Sequence, residues 1–298
     1  MDRRPVKTRS AMSGQSHLVP PPWSWAVASM VLIQLGAALS HPMLLSSGPV
    51  AVTWLRLCWA SALLLAFVRP FDAWREVLAG RAWSAVALGV ASGGVTLCYF
   101  ESLARIPQGM ANAIEFMGPL SVAVIGSRRA RDFLWAALAA VGVALLLRPG
   151  RAWQPDAVGI AYAGAAAVCW GLYIVLTKRV GARFAGFDGI AVSLTIAALV
   201  TAPAGLAQAW GQLTTRDLLA AGGLAILIPV LPYVLELAAL RRLSTSSFGI
   251  LMSAEPAIAS LMGAVLLAQI PGPLPTIGFV CVIAASVGTL RSQSFTDL

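Results

Sequence analysis

Five ionisable side chains lie inside long apolar stretches of this 298-residue chain: Arg56, Glu101, Glu115, Glu236 and Glu255. A carboxylate at such a position is tolerated where it faces a bundle interior or a water-filled cavity, and there it can bind an amino group or a proton. A buried guanidinium supplies the complementary chemistry, because its planar fork of donors binds carboxylates. The residue types therefore indicate a site for a small charged or zwitterionic molecule.

Two of these glutamates belong to segments with a common plan. Leu103–Pro119 (LARIPQGMANAIEFMGP) and Leu240–Pro256 (LRRLSTSSFGILMSAEP) begin 137 residues apart, and each turns from one apolar run into another. Each second run carries a glutamate and a proline. Proline removes a helix hydrogen bond, and free backbone groups at membrane depth are tolerated only where they face protein or a cavity. The two segments therefore predict two interrupted helices beside a central site.

The composition excludes a soluble protein. Hydrophobic residues make up 58% of the chain and charged residues only 11%, whereas soluble domains are about 25% charged. The short alternating segments of a membrane β-barrel are absent. We therefore predict an all-α membrane protein.

Several functional classes are also excluded by the residues. The sequence contains no phosphate-binding P-loop, no Gly-x-Ser-x-Gly and no metal triad. Its four cysteines all lie in apolar runs and only two histidines occur, which argues against disulfides and metal sites. The net charge of +9 comes from basic residues in short loops, where topology explains them better than nucleic-acid binding does. We predict no enzyme, no metal, no cofactor and no nucleic-acid partner.

Ten apolar stretches approach the roughly 20 residues that a membrane-spanning helix needs. They are Trp23–Leu45, Val50–Val68, Ala82–Leu103, Gly109–Ile125, Phe133–Leu147, Ala157–Thr177, Gly189–Leu206, Leu218–Leu240, Ser247–Leu267 and Leu274–Leu290.

The basic residues predict the orientation of these spans. With the N-terminus inside, 16 of the 21 Lys and Arg residues fall in cytoplasmic segments and 4 in outside loops, so both termini are predicted to be cytoplasmic. Five spans per half make the second half inverted relative to the first, a plan shared by many secondary transporters. The predicted organisation is a disordered cytoplasmic tail (1–22), a first repeat (23–147), a connecting loop (148–156), a second repeat (157–290) and a cytoplasmic tail (291–298).

Depth along the helices suggests how the charges are used. Arg56 and Glu115 each lie roughly 9 Å below the outer surface, and Glu255 lies roughly 12 Å from the inner surface. Glu101 is near the outer mouth and Glu236 near the inner end of its helix. In one interpretation Arg56 binds a substrate carboxylate while Glu115 or Glu255 binds an amino group or a proton. In the other, Arg56 and Glu115 form a structural ion pair.

Polar and aromatic residues near these charges extend the candidate site. Asn112 shares a helix face with Glu115, and Trp170 shares one with Tyr173, because residues three apart are neighbours on a helix. Packing is the alternative role for each of them. The predicted substrate-binding set is Arg56, Tyr99, Glu101, Asn112, Glu115, Trp170, Tyr173, Tyr233, Glu236, Ser253 and Glu255.

The sequence also resembles a known family. The segments LARIPQGMANAIEFMGPLSVAVIGSRRARDFLW, AVCWGLYIVLTKRVGA and LPYVLELAALRRLSTSSFGILMSAEPAIASL are similar to those of the drug/metabolite transporter superfamily, EamA type, and within it to the inner-membrane threonine/homoserine exporters. The similarity runs from about Trp25 to Leu290, and its most specific elements are Glu115–Pro119 and Met252–Ala257. It implies efflux of small neutral amino acids across the inner membrane.

We therefore expect a secondary transporter that exports threonine-like or homoserine-like amino acids by alternating access with proton coupling. The alternatives are an exporter of other metabolites or drug-like compounds, and a membrane scaffold that transports nothing. The expected partners are a small amino-acid substrate, protons and the lipid bilayer, and the protein is expected to be a monomer or a homodimer.

Overall fold

The computed structural model of the chain describes residues 20–125, 130–146, 156–184, 186–210, 213–240, 242, 252 and 254–294. Within these ranges all regular secondary structure is helical. The helices are α1 (Pro22–Ser47), α2 (Pro49–Val68), α3 (Phe71–Leu78), α4 (Trp83–Leu103), α5 (Gln108–Glu115), α6 (Met117–Ile125), α7 (Ala130–Leu146), α8 (Ala157–Arg183), α9 (Asp188–Ala209), α10 (Thr215–Ala225), α11 (Leu231–Leu240), α12 (Glu255–Leu267) and α13 (Pro273–Ser294).

Six helical stretches of the described chain are long and apolar enough to cross a membrane. They are Pro22–Ser47, Pro49–Val68, Trp83–Leu103, Ala157–Arg183, Asp188–Ala209 and Thr215–Glu236, and three shorter apolar helices are Ala137–Leu146, Glu255–Leu267 and Pro273–Ala285. The protein is therefore a helical membrane protein. The count of ten spans and the placement of the termini stay predictions. Most of the tail 1–22, most of the loop 148–156, Ser253 and the first residues of the ninth span lie outside the described residues.

Glycine and proline set the boundary between the first two helices. Pro22 lies in the first turn of α1 and Pro49 in the first turn of α2, where a missing N–H leaves no helix bond unmade. Gly48 between them has a φ of +84°, a conformation that glycine adopts without strain. A Cβ at this position would also overlap the side chain of Gln208.

The connection between the second and third predicted spans contains the additional helix α3. This eight-residue helix buries Ala73 and packs Trp74 and Val77 against a cluster that includes Leu88 and Val180. The helix is amphipathic: Ala73, Trp74 and Val77 face the bundle while Asp72 and Arg75 are exposed.

The predicted interruption beside Glu115 is present. Helix α5 ends at Glu115 and α6 begins at Met117. The cause lies four residues beyond Glu115, because Pro119 has no N–H to donate to the Glu115 carbonyl. Close packing places this interruption against α8, since a Cβ at Gly118 would overlap the carbonyl oxygen of Ala167.

The helix that contains Pro229 and Pro232 is also broken. A kink at Ile226–Val230 separates α10 from α11, and Ile228 inside it has an extended conformation (φ −157°, ψ 116°). Pro232 has no N–H to donate to the carbonyl of Ile228. The break therefore leaves the Ile228 carbonyl free to accept a bond from outside its own helix.

Helix packing has a pairwise symmetry between the two halves of the chain. In chain order, α1, α2, α4, α5–α6 and α7 correspond to α8, α9, α10–α11, α12 and α13. The contact of α4 with α8 has its counterpart in the contact of α11 with α1. The contact of α5 with α8 likewise has its counterpart in the contact of α12 with α1. The pairs α2 with α9, α5 with α12 and α7 with α13 each join equivalent helices. Exchanging the halves thus reproduces each of these contacts.

Candidate functional site

An amide network joins four helices at the centre of the bundle. Gln34 of α1 donates from Nε2 to Oε1 of Glu255, which begins α12, over 3.0 Å. Tyr99 of α4 donates from its hydroxyl to Gln34 Oε1 over 3.2 Å. Gln108 of α5 donates from Nε2 to both Oε1 and the backbone oxygen of Gln34, each over 2.9 Å. All four side chains are buried.

Sequence reasoning missed Gln34 and Gln108. Both are uncharged, so a search for charges in apolar stretches passes over them, although an amide in a membrane segment also requires a partner. Gln34 is fully buried in α1, and Gln108 begins α5, where its backbone N–H donates to Oε1 of Gln269 over 2.9 Å. Gln34 could have been found from the sequence, because it is the one polar side chain in the apolar stretch VLIQLGAAL.

Beside the network lies a group of oxygen atoms without hydrogen-bond donors, which we call the acceptor cluster (Glu115, Glu255, Asn112 and Gln108). Within the described part of the chain, Glu255 Oε2, Asn112 Oδ1 and Gln108 Oε1 are buried and have no partner. No donor from the described residues reaches the buried Glu115 carboxylate either, and its charge interacts with that of Glu255. Buried acceptors without donors are unfavourable, so this cluster is suited to a ligand that brings several N–H groups.

Arg56 supplies the opposite chemistry. Its side chain is 1% exposed, and its guanidinium carbon lies 4.3 Å from the centre of the Phe100 ring. Nη2 donates to the carbonyl oxygen of Ile228 over 2.8 Å, which is the carbonyl that Pro232 leaves free. Nε and Nη1 have no partner among the described residues, and neither has Thr53 Oγ1 one turn earlier. Two buried guanidinium nitrogens thus remain available to a carboxylate.

The structural ion pair that was considered for Arg56 and Glu115 is not formed. The ion pairs of the described residues do not include it. Equal depth gives two residues the same height in the membrane, but the rotation of each helix decides which neighbour a side chain meets. Arg56 is turned toward Ile228, in the broken segment between α10 and α11. The other interpretation, that Arg56 binds a substrate carboxylate, stays a prediction.

A second polar region lies next to the network on α8 and α11. Ser29 Oγ donates to Oε1 of Glu236 over 2.8 Å, and the charge of Glu236 interacts with that of Glu255. The rings of Tyr173 and Tyr233 lie 5.9 Å apart and border a small cavity. The cavity is lined by Leu88, Ser92, Tyr173, Thr177, Ile190, Ser193, Leu194 and Tyr233.

The remaining predicted site residues lie apart from the network or beyond what is described. Glu101 forms an ion pair with Arg105, whose guanidinium also lies 5.2 Å from the ring of Tyr162. This carboxylate is therefore engaged at the end of its own helix. Trp170 packs edge-on against Phe116 with ring centres 5.8 Å apart. Ser253 is outside the described residues.

The structure thus brings most of the predicted residues into one region with a defined polarity. Asn112 lies beside both Tyr99 and Glu255, and Tyr233 lies near both Arg56 and Glu115. Acceptors without donors occupy one part of the region, and a guanidinium with free nitrogens occupies another. A molecule that carries an ammonium group and a carboxylate would satisfy both.

Comparisons with known proteins agree with this architecture. Residues 157–291 match the EamA-like transporter family. The threonine/homoserine exporter RhtA of Escherichia coli strain K12 is 38% identical over 274 residues, which cover 90% of this chain and 92% of that protein. The protein of the same name from Salmonella typhimurium strain LT2 is 38% identical over 264 residues, covering 88% of each chain.

A solved structure supports the fold independently. A crystal structure of a protein superposes with a TM-score of 0.59 at 20% sequence identity, over 91% of this chain and 98% of that one. At this identity the likeness shows the fold alone. The identity to the exporters extends over nine tenths of the chain, and the apolar helices agree with membrane insertion. The chain therefore belongs to the EamA-like transporter family, as a multi-pass transporter of the bacterial inner membrane and not an enzyme.

Proposed function

We propose that the protein exports small amino acids of the threonine and homoserine type from the cytoplasm. The relatives that share 38% of its residues are named for these two substrates. The observation that carries the proposal is the division of the central region into buried, donor-free oxygens and a buried guanidinium with two free nitrogens. Threonine and homoserine are zwitterions of matching polarity, and each adds one hydroxyl group.

In the proposed complex the ammonium group lies in the acceptor cluster and the carboxylate lies at Arg56. An ammonium has three donors, and Glu255 Oε2, Asn112 Oδ1 and Gln108 Oε1 are three buried acceptors without partners in the described chain. Arg56 has unpartnered N–H groups on Nε and Nη1, and each can donate to a carboxylate oxygen. A fork that binds both oxygens would pair either of them with Nη2, which donates to Ile228 in this structure. A polyanionic cargo has no comparable support, because Arg56 is the one Lys or Arg residue of the predicted spans.

We propose alternating access between two inverted five-helix repeats as the transport mechanism. The exchange symmetry of the helix contacts supports two equivalent repeats. The broken helices at Phe116 and Ile228 lie beside the charged residues, and discontinuous helices commonly form the sites of transporters with inverted repeats. Proton exchange through a buried glutamate completes the proposed cycle, with Glu115, Glu236 and Glu255 as its candidates.

Flux through purified protein in proteoliposomes tests this function. Labelled threonine, homoserine and a panel of other amino acids are compared, with and without a pH gradient, against liposomes that lack protein. We expect saturable flux of threonine and homoserine that a pH gradient accelerates. Absence of flux for every amino acid under both conditions would overturn the exporter assignment. Amino-acid flux that does not depend on the pH gradient would contradict proton coupling alone. Flux of organic cations in place of amino acids would contradict the proposed substrate class.

A further inference from the structure

We infer that Gln34 is a positioning residue that holds Glu255 by one carboxylate oxygen and presents the other to the ammonium group of the substrate. This inference rests on the proposed function, since it assigns a task within the same site. Gln34 lies outside the candidate set that the charges of the sequence indicate. Only its hydrogen bonds in the structure connect Gln34 with the candidate site.

The orientation of the Gln34 amide is set by its neighbours. An amide oxygen and nitrogen are distinguished by their hydrogen-bond partners. Tyr99 and Gln108 both donate to the same atom, Oε1 of Gln34, over 3.2 and 2.9 Å. That atom must therefore be the oxygen, and the opposite atom, Nε2, must be the donor that faces Glu255.

The consequence for Glu255 is an unequal use of its two oxygens. Oε1 accepts from Gln34 Nε2 over 3.0 Å, whereas Oε2 is buried without a partner in the described chain. A hydrogen bond to one oxygen restricts rotation of the carboxylate. The second oxygen stays buried without a partner, and the Asn112 side chain lies beside the same carboxylate.

Gln34 is itself fixed by three further bonds and by burial. Its backbone oxygen accepts a second bond from Gln108 Nε2 over 2.9 Å, and the residue is fully buried. The titratable groups whose charges reach Glu255 are Glu115 on α5, Glu236 on α11 and Tyr99 on α4. None of these is a positive charge. A neutral donor is therefore the group that holds Glu255 in place while leaving its charge available to a cationic ligand.

Two substitutions separate this role from packing. Gln34→Leu removes the donor and the acceptor together. Gln34→Glu keeps the shape of the side chain and an oxygen for Tyr99 and Gln108, but it removes the donor to Glu255. We expect each variant to raise the KM for threonine about tenfold, the usual effect of losing a hydrogen bond to a charged group, with a much smaller change in maximal rate.

Tyr99→Phe provides a graded third variant, because it removes one of the two donors that orient the Gln34 amide. We expect a smaller rise in KM, about threefold, since Gln108 remains. Ser40→Ala is the matched control on the same helix: Ser40 is buried and donates within α1 to the Gly36 carbonyl over 2.6 Å. Its KM should equal that of the wild type.

Substrate-induced thermal stabilisation in detergent supplies a second readout, because a ligand that binds the folded state raises its melting temperature. We expect the Gln34 variants to need about tenfold more threonine than the wild type for the same increase in melting temperature. Wild-type KM values and wild-type stabilisation in both Gln34 variants would overturn the inference while leaving the exporter function intact. A wild-type protein that responds to no amino acid would overturn the function itself. If Gln34→Leu does not fold, Gln34→Glu and Tyr99→Phe decide the result.

Discussion

Glu115 ends helix α5, Glu255 begins helix α12, and their charges interact across the packed pair of helices. Pro256 directly follows Glu255, and Pro119 lies one turn beyond Glu115. Two buried carboxylates whose charges interact repel one another unless a proton or another cation reduces that charge. The arrangement therefore favours binding of positive charge where the two halves of the chain meet.

The first prediction concerns Glu115. Replacement by Gln keeps the shape of the side chain and removes the charge, and no donor from the described residues depends on that charge. We expect Glu115→Gln to lower threonine flux at least about tenfold, the effect of losing an interaction of roughly 1.4 kcal/mol, while the yield of folded protein stays near that of the wild type. Flux and size-exclusion yield measured on the same preparation check this. An equal loss of both would instead assign Glu115 to the structure.

The second prediction separates charge from geometry at Arg56. Arg56→Lys keeps a positive charge but cannot reproduce the fork of donors. We expect both Arg56→Lys and Arg56→Met to raise the KM for threonine about tenfold or more. Because two guanidinium nitrogens are buried without partners, we expect Arg56→Met to keep its thermal stability. A KM for Arg56→Lys equal to that of the wild type would show that charge alone is needed.

The third prediction concerns the motif glycine Gly118. A Cβ at Gly118 would overlap the backbone oxygen of Ala167, whereas a Cβ at Gly164 on α8 meets no atom within 4 Å. We expect Gly118→Ala to destabilise the protein by about 1–3 kcal/mol or more, the usual effect of overpacking. Gly164→Ala is the matched control and should melt at the wild-type temperature or slightly above it, because Ala favours helix. Equal melting temperatures for the two variants would contradict the close approach of α6 and α8.

The fourth prediction is a pH dependence at α3. Arg183 Nη2 donates to Glu76 Oε2 over 2.6 Å, and this hydrogen bond, together with the charge of Arg81, lowers the pKa of Glu76 below its usual 4.5. A depressed carboxylate pKa stabilises the fold above the unfolded pKa, and that contribution is lost as the pH falls through the folded value. We expect Glu76→Gln to melt slightly below the wild type at pH 7.

The pH series provides the control for that prediction. The difference in melting temperature between Glu76→Gln and the wild type should shrink toward zero as the pH falls through and below about 4.5. Glu76 is partly exposed, so the difference at pH 7 should be small and should decrease with added salt. A difference that is constant across the pH series would assign the effect to packing of α3.

The sequence predicted the membrane class, the family and the helix break beside Glu115, because these follow from local causes. Apolar stretches report burial in lipid, and a proline removes the helix bond of the carbonyl four residues before it, as at Glu115 and Ile228. Glu115 and Glu255 were recognisable as candidate site residues because charge is rare at membrane depth.

The partners of those residues were not predictable in the same way. Residue spacing gives height along a helix but not the direction in which a side chain points. An ion pair of Arg56 with Glu115 was therefore one of two interpretations, and the bond of Arg56 to Ile228 was not predicted. Gln34 and Gln108 were missed because an amide in an apolar stretch is less conspicuous than a charge. Their role becomes evident only when α1, α4, α5 and α12 are packed together.

The Ile228 carbonyl and the carboxylate of the proposed substrate would compete for the same guanidinium, that of Arg56. A carboxylate that takes the whole guanidinium displaces the Ile228 carbonyl, which has no N–H within its own helix to return to. Loading of the site would then coincide with detachment of the α10–α11 break from α2, as two parts of one exchange. The two prolines that break this helix would in that way link occupancy of the site to the position of a membrane-spanning segment.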